Sequence, residues 1–350
     1  MDFPEPSGFI LEMTGAMRPT EWQPSYVRLD RDGELASRAR ALYSIFQSCR
    51  LCPRRCNVNR LKGETGVCGS VSRVRVASAH AHFGEEAPLV GFHGSGTIFF
   101  SHCNLLCAYC QNWQISHGGD GSFLTDAALG RVMLRLQESD CHNINLVTPT
   151  HCVPNIVQAL RTAVAGGLRI PLVYNCGGYE PLEVLQLLDG VVDIYLADFK
   201  YMDPSLSERY SGGARDYPEV AAAAIAEMHR QVGDLLTDGN GIALRGLMVR
   251  HLVLPNNIAG TDRFARLVAE RLGRSTYVNL MSQYRPEHDA GRYPDLARRI
   301  TRQEYLHAVA WAREAGLECL ALQPQCHKSA IVTSQPQDCW NGRKREFATD

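Results

Sequence analysis

From residue 97 onward, short apolar runs alternate with longer stretches whose apolar positions recur at helical spacing. The runs TIFFS (97–101), INLVT (144–148), PLVYN (171–175), DIYLA (193–197), LMVRHLVL (247–254), YVNLM (277–281) and ECLAL (318–322) read as short buried strands. Helical patterns fall between them, near 124–139, 153–166, 181–189, 217–236, 262–273 and 302–315. Strands and helices alternating in this way build parallel βαβ units. Six or seven such units without a long insertion predict an α/β fold, a partial or full parallel β/α (TIM-like) barrel, rather than an open doubly wound sheet. The AAAA at 221–224 sits inside a helical stretch, and no internal repeat interrupts the pattern.

Upstream the pattern is weaker. The first thirty-odd residues are rich in proline and polar residues and read as an extended arm. Residues 33–48 carry helical spacing, residues 49–69 are a loop punctuated by Pro53, Gly63 and Gly66, and Val71 to Ala79 alternates as a short strand. The expected organisation is therefore an N-terminal extension (1–95), a barrel core (96–328) and a C-terminal tail (329–350).

Composition narrows the classes. With 45% hydrophobic and 21% charged residues in 350, the chain has the makings of a globular core. A net charge of −1 gives no simple argument for nucleic acid or an anionic membrane as partner. No stretch approaches the roughly 18 apolar residues of a spanning helix. MDFPEPSGF lacks the features of a signal peptide, so a cytoplasmic location is expected. The unusual feature is 13 cysteines, because the cytosol disfavours disulfides and an odd number cannot pair completely. Cys49, Cys52, Cys56 and Cys68 form one group, and Cys103, Cys107 and Cys110 form another. Cys141, Cys152, Cys176, Cys319, Cys326 and Cys339 are scattered.

In parallel barrels the chemistry gathers where strands end. Here those endings are SHCNLLCAYCQN, TPTHC, NCGGYE, DFKY, PNN, SQY and QPQCHK. In the first, C-x3-C-x2-C follows a strand directly. Iron–sulfur clusters are normally held by four cysteines, so a loop of three implies an iron open to another ligand. The alternative is three buried or zinc-bound thiols.

CNLLCAYC after the first barrel strand resembles the signature of the radical S-adenosylmethionine superfamily. The resemblance implies that Cys103, Cys107 and Cys110 hold a 4Fe–4S cluster whose open iron chelates S-adenosylmethionine. Reductive cleavage then gives methionine and a 5′-deoxyadenosyl radical that abstracts hydrogen from an organic substrate. Tyr109, the aromatic before the third cysteine, would contribute to adenine binding. From about Cys49 to His327, segments such as GSGTIFFSHCNLLCAYCQNWQIS, YNCGGYE and DIYLADFKY resemble the branch of pyruvate formate-lyase activating enzymes and their relatives. On that resemblance Asp198, Lys200 and Arg250 contact the methionine moiety of the cofactor, Gln283 and Tyr284 supply adenine or substrate contacts, and Asn175 at its strand end belongs to the cofactor set. Asp198 and Lys200 read alone are equally an internal ion pair. The usual Gly-Gly-Glu after the second strand is replaced by Thr148, Pro149, Thr150 and His151. Thr148 and Thr150 are then the cofactor contacts there, and His151 a catalytic or substrate candidate. His251 faces the opposite way from Arg250 and reads as structural, as does His102 beside Cys103.

Cys49, Cys52, Cys56 and Cys68 lie in a loop with little hydrophobic content, which a metal would order. A second 4Fe–4S cluster and zinc both accept four thiolates. Cys152, Cys176 and Cys326 follow strands and are candidate substrate-side thiols, or simply small buried residues. The expected function is hydrogen abstraction from a small molecule. The second cluster would relay electrons from a donor such as flavodoxin or ferredoxin, or serve sulfur insertion. Installation of a glycyl radical on a partner enzyme, and a non-enzymatic metal scaffold, are the alternatives.

Overall fold

The computed structural model describes residues 22–322. One sheet contains β1 (Arg75–His82), β2 (Ser95–Phe100), β3 (Ser122–Phe123), β4 (Ile144–Val147), β5 (Leu172–Cys176), β6 (Ile194–Asp198), β7 (Leu236–Thr237), β8 (Ala243–Leu252), β9 (Tyr277–Met281) and β10 (Leu320–Leu322). Its order is β10-β9-β8-β6-β5-β4-β2-β1-β3, with β7 joined to β8. Every pairing from β2 through β4, β5, β6, β8 and β9 to β10 is parallel. The outer edge of β2 is taken by antiparallel β1 rather than by β10. The fold is thus the partial β/α barrel that the strand–helix alternation predicts.

Alternation along the strands sorts the side chains. Val173, Ile194, Leu196, Met248 and Tyr277 form an apolar cluster with Leu89. In register and period these share a face with Asp198 and Arg250, which makes it the barrel lumen. Tyr174, Tyr195, Val249 and Val278 take the other face, in the larger core beneath the helices. The lumen floor comes from before the barrel. A short helix, Ala87–Val90, puts Leu89 into it, and Asn143, just ahead of β4, donates to the Leu89 carbonyl at 2.8 Å.

Helix limits follow local chemistry. Thr125 caps Asp126–Glu138 by accepting from Ala128 N, and Thr301 with Glu304 forms a reciprocal capping box for Arg302–Glu314. The helix expected over 217–236 stops at Val232, because Gly233 adopts φ +71°. The arm reading is corrected for Ser25–Arg31, which is helical. Tyr26 and Leu29 are buried there, Tyr26 Oη donates to Ile170 O at 2.7 Å, and Ser25 N donates to Asp193 at 3.1 Å. Two apolar residues in one turn are too few to show as periodicity.

Candidate active site

The loop after β2 holds the three-cysteine group, and its backbone is bent to do so. His102 (φ +75°) and Leu106 (φ +51°) both occupy the left-handed region that non-glycine residues rarely enter. Each sulfur has a polar neighbour. Leu105 N donates to Cys103 Sγ (3.4 Å), Cys107 Sγ lies 3.0 Å from Ser211 Oγ, and Cys110 Sγ lies 3.1 Å from Ser116 Oγ. Burial pushes Cys103 up to about 12, and the neighbouring Cys107 and Cys110 sulfurs push in the same direction. The three therefore lie within one another's field. Soft sulfur donors with N–H and O–H partners, on one short loop, fit an iron–sulfur cluster.

Among the described residues, no three His, Cys, Asp or Glu side chains converge as a single metal ion would require. Thiolates around one zinc stand about 3.8 Å apart, whereas a cubic cluster seats each on its own iron.

Beside this loop lies a charged array at the strand ends. Asp198 accepts from Lys200 Nζ and from Arg250 Nε, both at 2.7 Å. Arg250 Nη2 donates to Asn175 Oδ1 at 2.6 Å. Burial alone would raise the Asp198 carboxyl, but Arg250 and Lys200 hold it below its ordinary value. Burial opposes the Lys200 charge, and Asp198 together with the Cys107 sulfur reverses that. Lys200 also lies within the field of Cys107, so the array adjoins the cysteine loop. Gly177 permits the approach: a Cβ there would stand 2.6 Å from Leu105 Cδ1 and 3.7 Å from Lys200 Cε. Tyr109 is buried in an aromatic wall with Tyr201 and Tyr284, at ring separations of 6.4 and 5.8 Å. Tyr284 Oη donates to Leu296 O at 2.6 Å, and neighbouring Gln283 is exposed, with its amide near Met281 Sδ.

The segment Thr148 to His151 after β4 is largely engaged within the fold. Thr148 (φ +59°) continues the ladder to Asn175 O. Thr150 Oγ1 donates to Glu180 Oε1 at 2.6 Å, and Tyr174 Oη to Glu180 Oε2 at 3.0 Å. Burial raises the Glu180 carboxyl to about 8. His151 is buried with its Nε2 2.7 Å from Ser101 O, and burial lowers it to about 3, so the ring is neutral. Cys176 is buried with Glu180 on the helix side of β5, while Asn175 takes the lumen side. Cys152 is buried and lies within the field of Cys68. Cys326 is outside the described residues, as are His327 and Cys339. His251 stacks on Phe264 at 4.1 Å behind the sheet, the structural place expected for it.

The N-terminal cysteine loop is docked onto the first. Arg60, 2% exposed, donates to Ser70 O (3.1 Å), Val71 O (2.6 Å) and His151 O (2.8 Å), and lies over the Phe46 ring. Arg54 donates to Asn104 O (3.0 Å) and Ser211 O (3.1 Å), two carbonyls beside the Cys103–Cys110 loop. A Cβ on Gly66 would stand 2.6 Å from Cys56 Sγ, and one on Gly69 would stand 3.3 Å from His102 Nδ1. The segment that follows Cys68 thus touches the residue that precedes Cys103. Cys52 feels both Cys68 and Cys49, and no described cysteine is in a disulfide.

Sequence reasoning missed Arg54, Arg60, Glu180 and a pair of glutamates, Glu85 and Glu86. Arg250 Nη1 pairs with Glu85 at 3.3 Å, and Asn279 Nδ2 donates to Glu86 at 2.9 Å. Neighbouring charges inside an aperiodic loop were the available signal, and surface loops show the same one.

No family model matches the chain. It is 32% identical over 286 residues to an uncharacterized protein, MJ0674, of Methanocaldococcus jannaschii, across 79% of this chain and 78% of that one. Among solved structures it is similar to a radical SAM methyltransferase from Sphaerobacter thermophilus (16% identity, TM-score 0.41, 65% of each chain). It is also similar to Streptococcus suis SuiB bound to precursor peptide SuiA (12%, TM-score 0.42, 63% of this chain and 46% of that one). A third is TYW1 with a lysine-pyruvate adduct (10%, TM-score 0.40, 62% and 73%). The chain spans less than two thirds of the first two, and likeness at this distance assigns no activity to it.

Proposed function

The chain belongs to the same family as the uncharacterized protein of M. jannaschii, and we propose that it is a radical S-adenosylmethionine enzyme acting on a small organic substrate. The observation that carries this reading is the placement of Cys103, Cys107 and Cys110 on one loop, beside the Asp198–Lys200–Arg250 array at the ends of parallel strands. A cluster on those thiolates supplies, when bound, the open iron and the electron for reductive cleavage of the sulfonium. The chain's own residues do the rest. Lys200 and Arg250 present cations to the cofactor's carboxylate end, Asp198 fixes their direction, and Tyr109 offers a buried aromatic face to a purine. The missing Gly-Gly-Glu carboxylate leaves the cofactor's amino group to neutral partners such as the Thr148 hydroxyl, since Thr150 is committed to Glu180.

Cys49, Cys52, Cys56 and Cys68 are the proposed seat of a second 4Fe–4S cluster that relays electrons from a flavodoxin- or ferredoxin-type donor. Contact between Gly69 and His102 supports a short path between the two sites. The loop's docking through Arg54 and Arg60 beside the barrel mouth favours a small substrate over a glycyl-radical partner.

Anaerobic reconstitution, then reduction with dithionite and S-adenosylmethionine, is expected to give 5′-deoxyadenosine and methionine. A Cys103/Cys107/Cys110→Ala variant should lose that product by more than about 100-fold. Intact cluster signals in the wild type without any 5′-deoxyadenosine would overturn the assignment. Wild type should bind about eight irons per chain and the triple variant about four; zinc in the variant instead would refute the second cluster.

A further inference from the structure

Against the Asp198–Arg250 layer, the segment before the barrel carries Glu85 and Glu86 into the lumen. Glu85 pairs with Arg250 and lies beside Asn145 of β4. Glu86 accepts from Asn279 of β9 through one oxygen only. Several polar atoms around them have no partner. Glu86 Oε2, Asn279 Oδ1 and Asn145 Oδ1 are buried without a hydrogen bond, while the Asn145 amide N–H faces Glu85. Asn145 is 0% exposed, Glu86 7% and Asn279 8%. Buried groups of this kind are costly unless something satisfies them, and groups left open in a native lumen point to an absent ligand or to ordered water.

The unmet capacity is mostly acceptor. Asn279 uses its N–H on Glu86, which leaves its carbonyl oxygen free, and Glu86 Oε2 and Asn145 Oδ1 are acceptors as well. Charge points the same way. Asp198, Glu85 and Glu86 are three carboxylates set against the two cations Lys200 and Arg250. Burial raises the Glu85 carboxyl, and Glu86 is the carboxylate of the group with no hydrogen-bonded cation.

We propose that Glu86, Asn145 and Asn279 form a subsite of the substrate pocket, and that the substrate presents a protonated primary amine there. An ammonium has three N–H donors for three open acceptors. This rests on the radical S-adenosylmethionine reading and adds a substrate class to it. Asn279 stands opposite Arg250 in the β8–β9 register and Asn145 opposite Val173 of β5, so the amine would be held within the lumen against the Arg250 layer.

The test uses the purified full chain without added cofactor, with n-butylammonium chloride and n-butanol as probes at pH 7 and matched ionic strength. Saturation-transfer NMR is expected to show the ammonium binding at least about 10-fold more tightly than the alcohol. Glu86→Gln, which is isosteric, should abolish the preference. Asn145→Leu should weaken ammonium binding several-fold with no change in protein charge, and keeps the test open should Glu86→Gln fail to fold. Equal binding of the two probes, binding of neither, or a preference that survives in a folded variant of either kind would overturn the proposal and leave water as the occupant. A protein that makes 5′-deoxyadenosine yet ignores butylammonium sinks this inference alone. One that binds butylammonium and makes no 5′-deoxyadenosine sinks only the reaction assignment.

Discussion

Asp198 stands between two cations that are largely but not fully buried, and its position determines what its loss does. Asp198→Asn leaves Lys200 and Arg250 facing each other without the carboxylate. It should destabilise the chain by about 3 kcal/mol in urea unfolding, the usual scale for breaking a buried pair, and weaken S-adenosylmethionine binding in equilibrium dialysis. Unchanged stability would mean that the array is more solvated than its contacts indicate. Glu180 gives a prediction of the opposite kind. Its carboxyl is raised by burial to about 8, so the folded state keeps its proton after the unfolded chain has released it near the ordinary value of about 4.3. Its contribution is complete below that ordinary value. Above it, stability falls by about 1.4 kcal/mol per pH unit until pH approaches 8. Asp193, raised by burial to about 7, adds to the same decline. His151 and His251, kept neutral by burial, offset this decline below about pH 6.5, so thermal midpoints should drop between about pH 6.5 and 8, and Glu180→Gln should flatten part of that slope. An identical slope in that variant would remove Glu180 as the cause.

At the scale of elements, the N-terminal cysteine loop is held by side chains rather than by a core of its own. Arg60→Ala would leave three carbonyls without their donor, at a cost of at least about 3 kcal/mol in total. The expected outcome is rapid proteolysis between residues 50 and 70 with the barrel intact; equal resistance to wild type would show that other contacts hold the loop. This docking was illegible in the sequence, whereas the two cysteine groups were not. Metal-ligand spacing is a local property that survives in one dimension. The strand–helix alternation was legible for the same reason, and it located β9 at 277–281 and β4 to within a residue. Contacts across the barrel depend on register among strands far apart in sequence. That is why Asn175, rather than Cys176, reaches Arg250, and why Thr150 turned out to serve Glu180. A shift of one residue along a strand exchanges the lumen for the helix side.

The whole molecule is organised around a barrel whose floor precedes its walls. Leu89, fully buried in the lumen cluster, and Phe92, 91% exposed three residues later, make a controlled comparison. Leu89→Ala should cost about 2–5 kcal/mol in urea unfolding, and Phe92→Ala no more than about 0.5. Similar losses at both positions would show that the segment does not seal the barrel. The same arrangement sets a schedule for synthesis. Residue 89 leaves the ribosome early, yet Tyr277, one of its lumen partners, is made only when most of the chain is already out. Until then the segment with Leu89 and both glutamates has no cavity to enter. Assembly of the barrel must wait for a late, long-range closure, and nascent chains should depend on chaperone protection for most of their elongation.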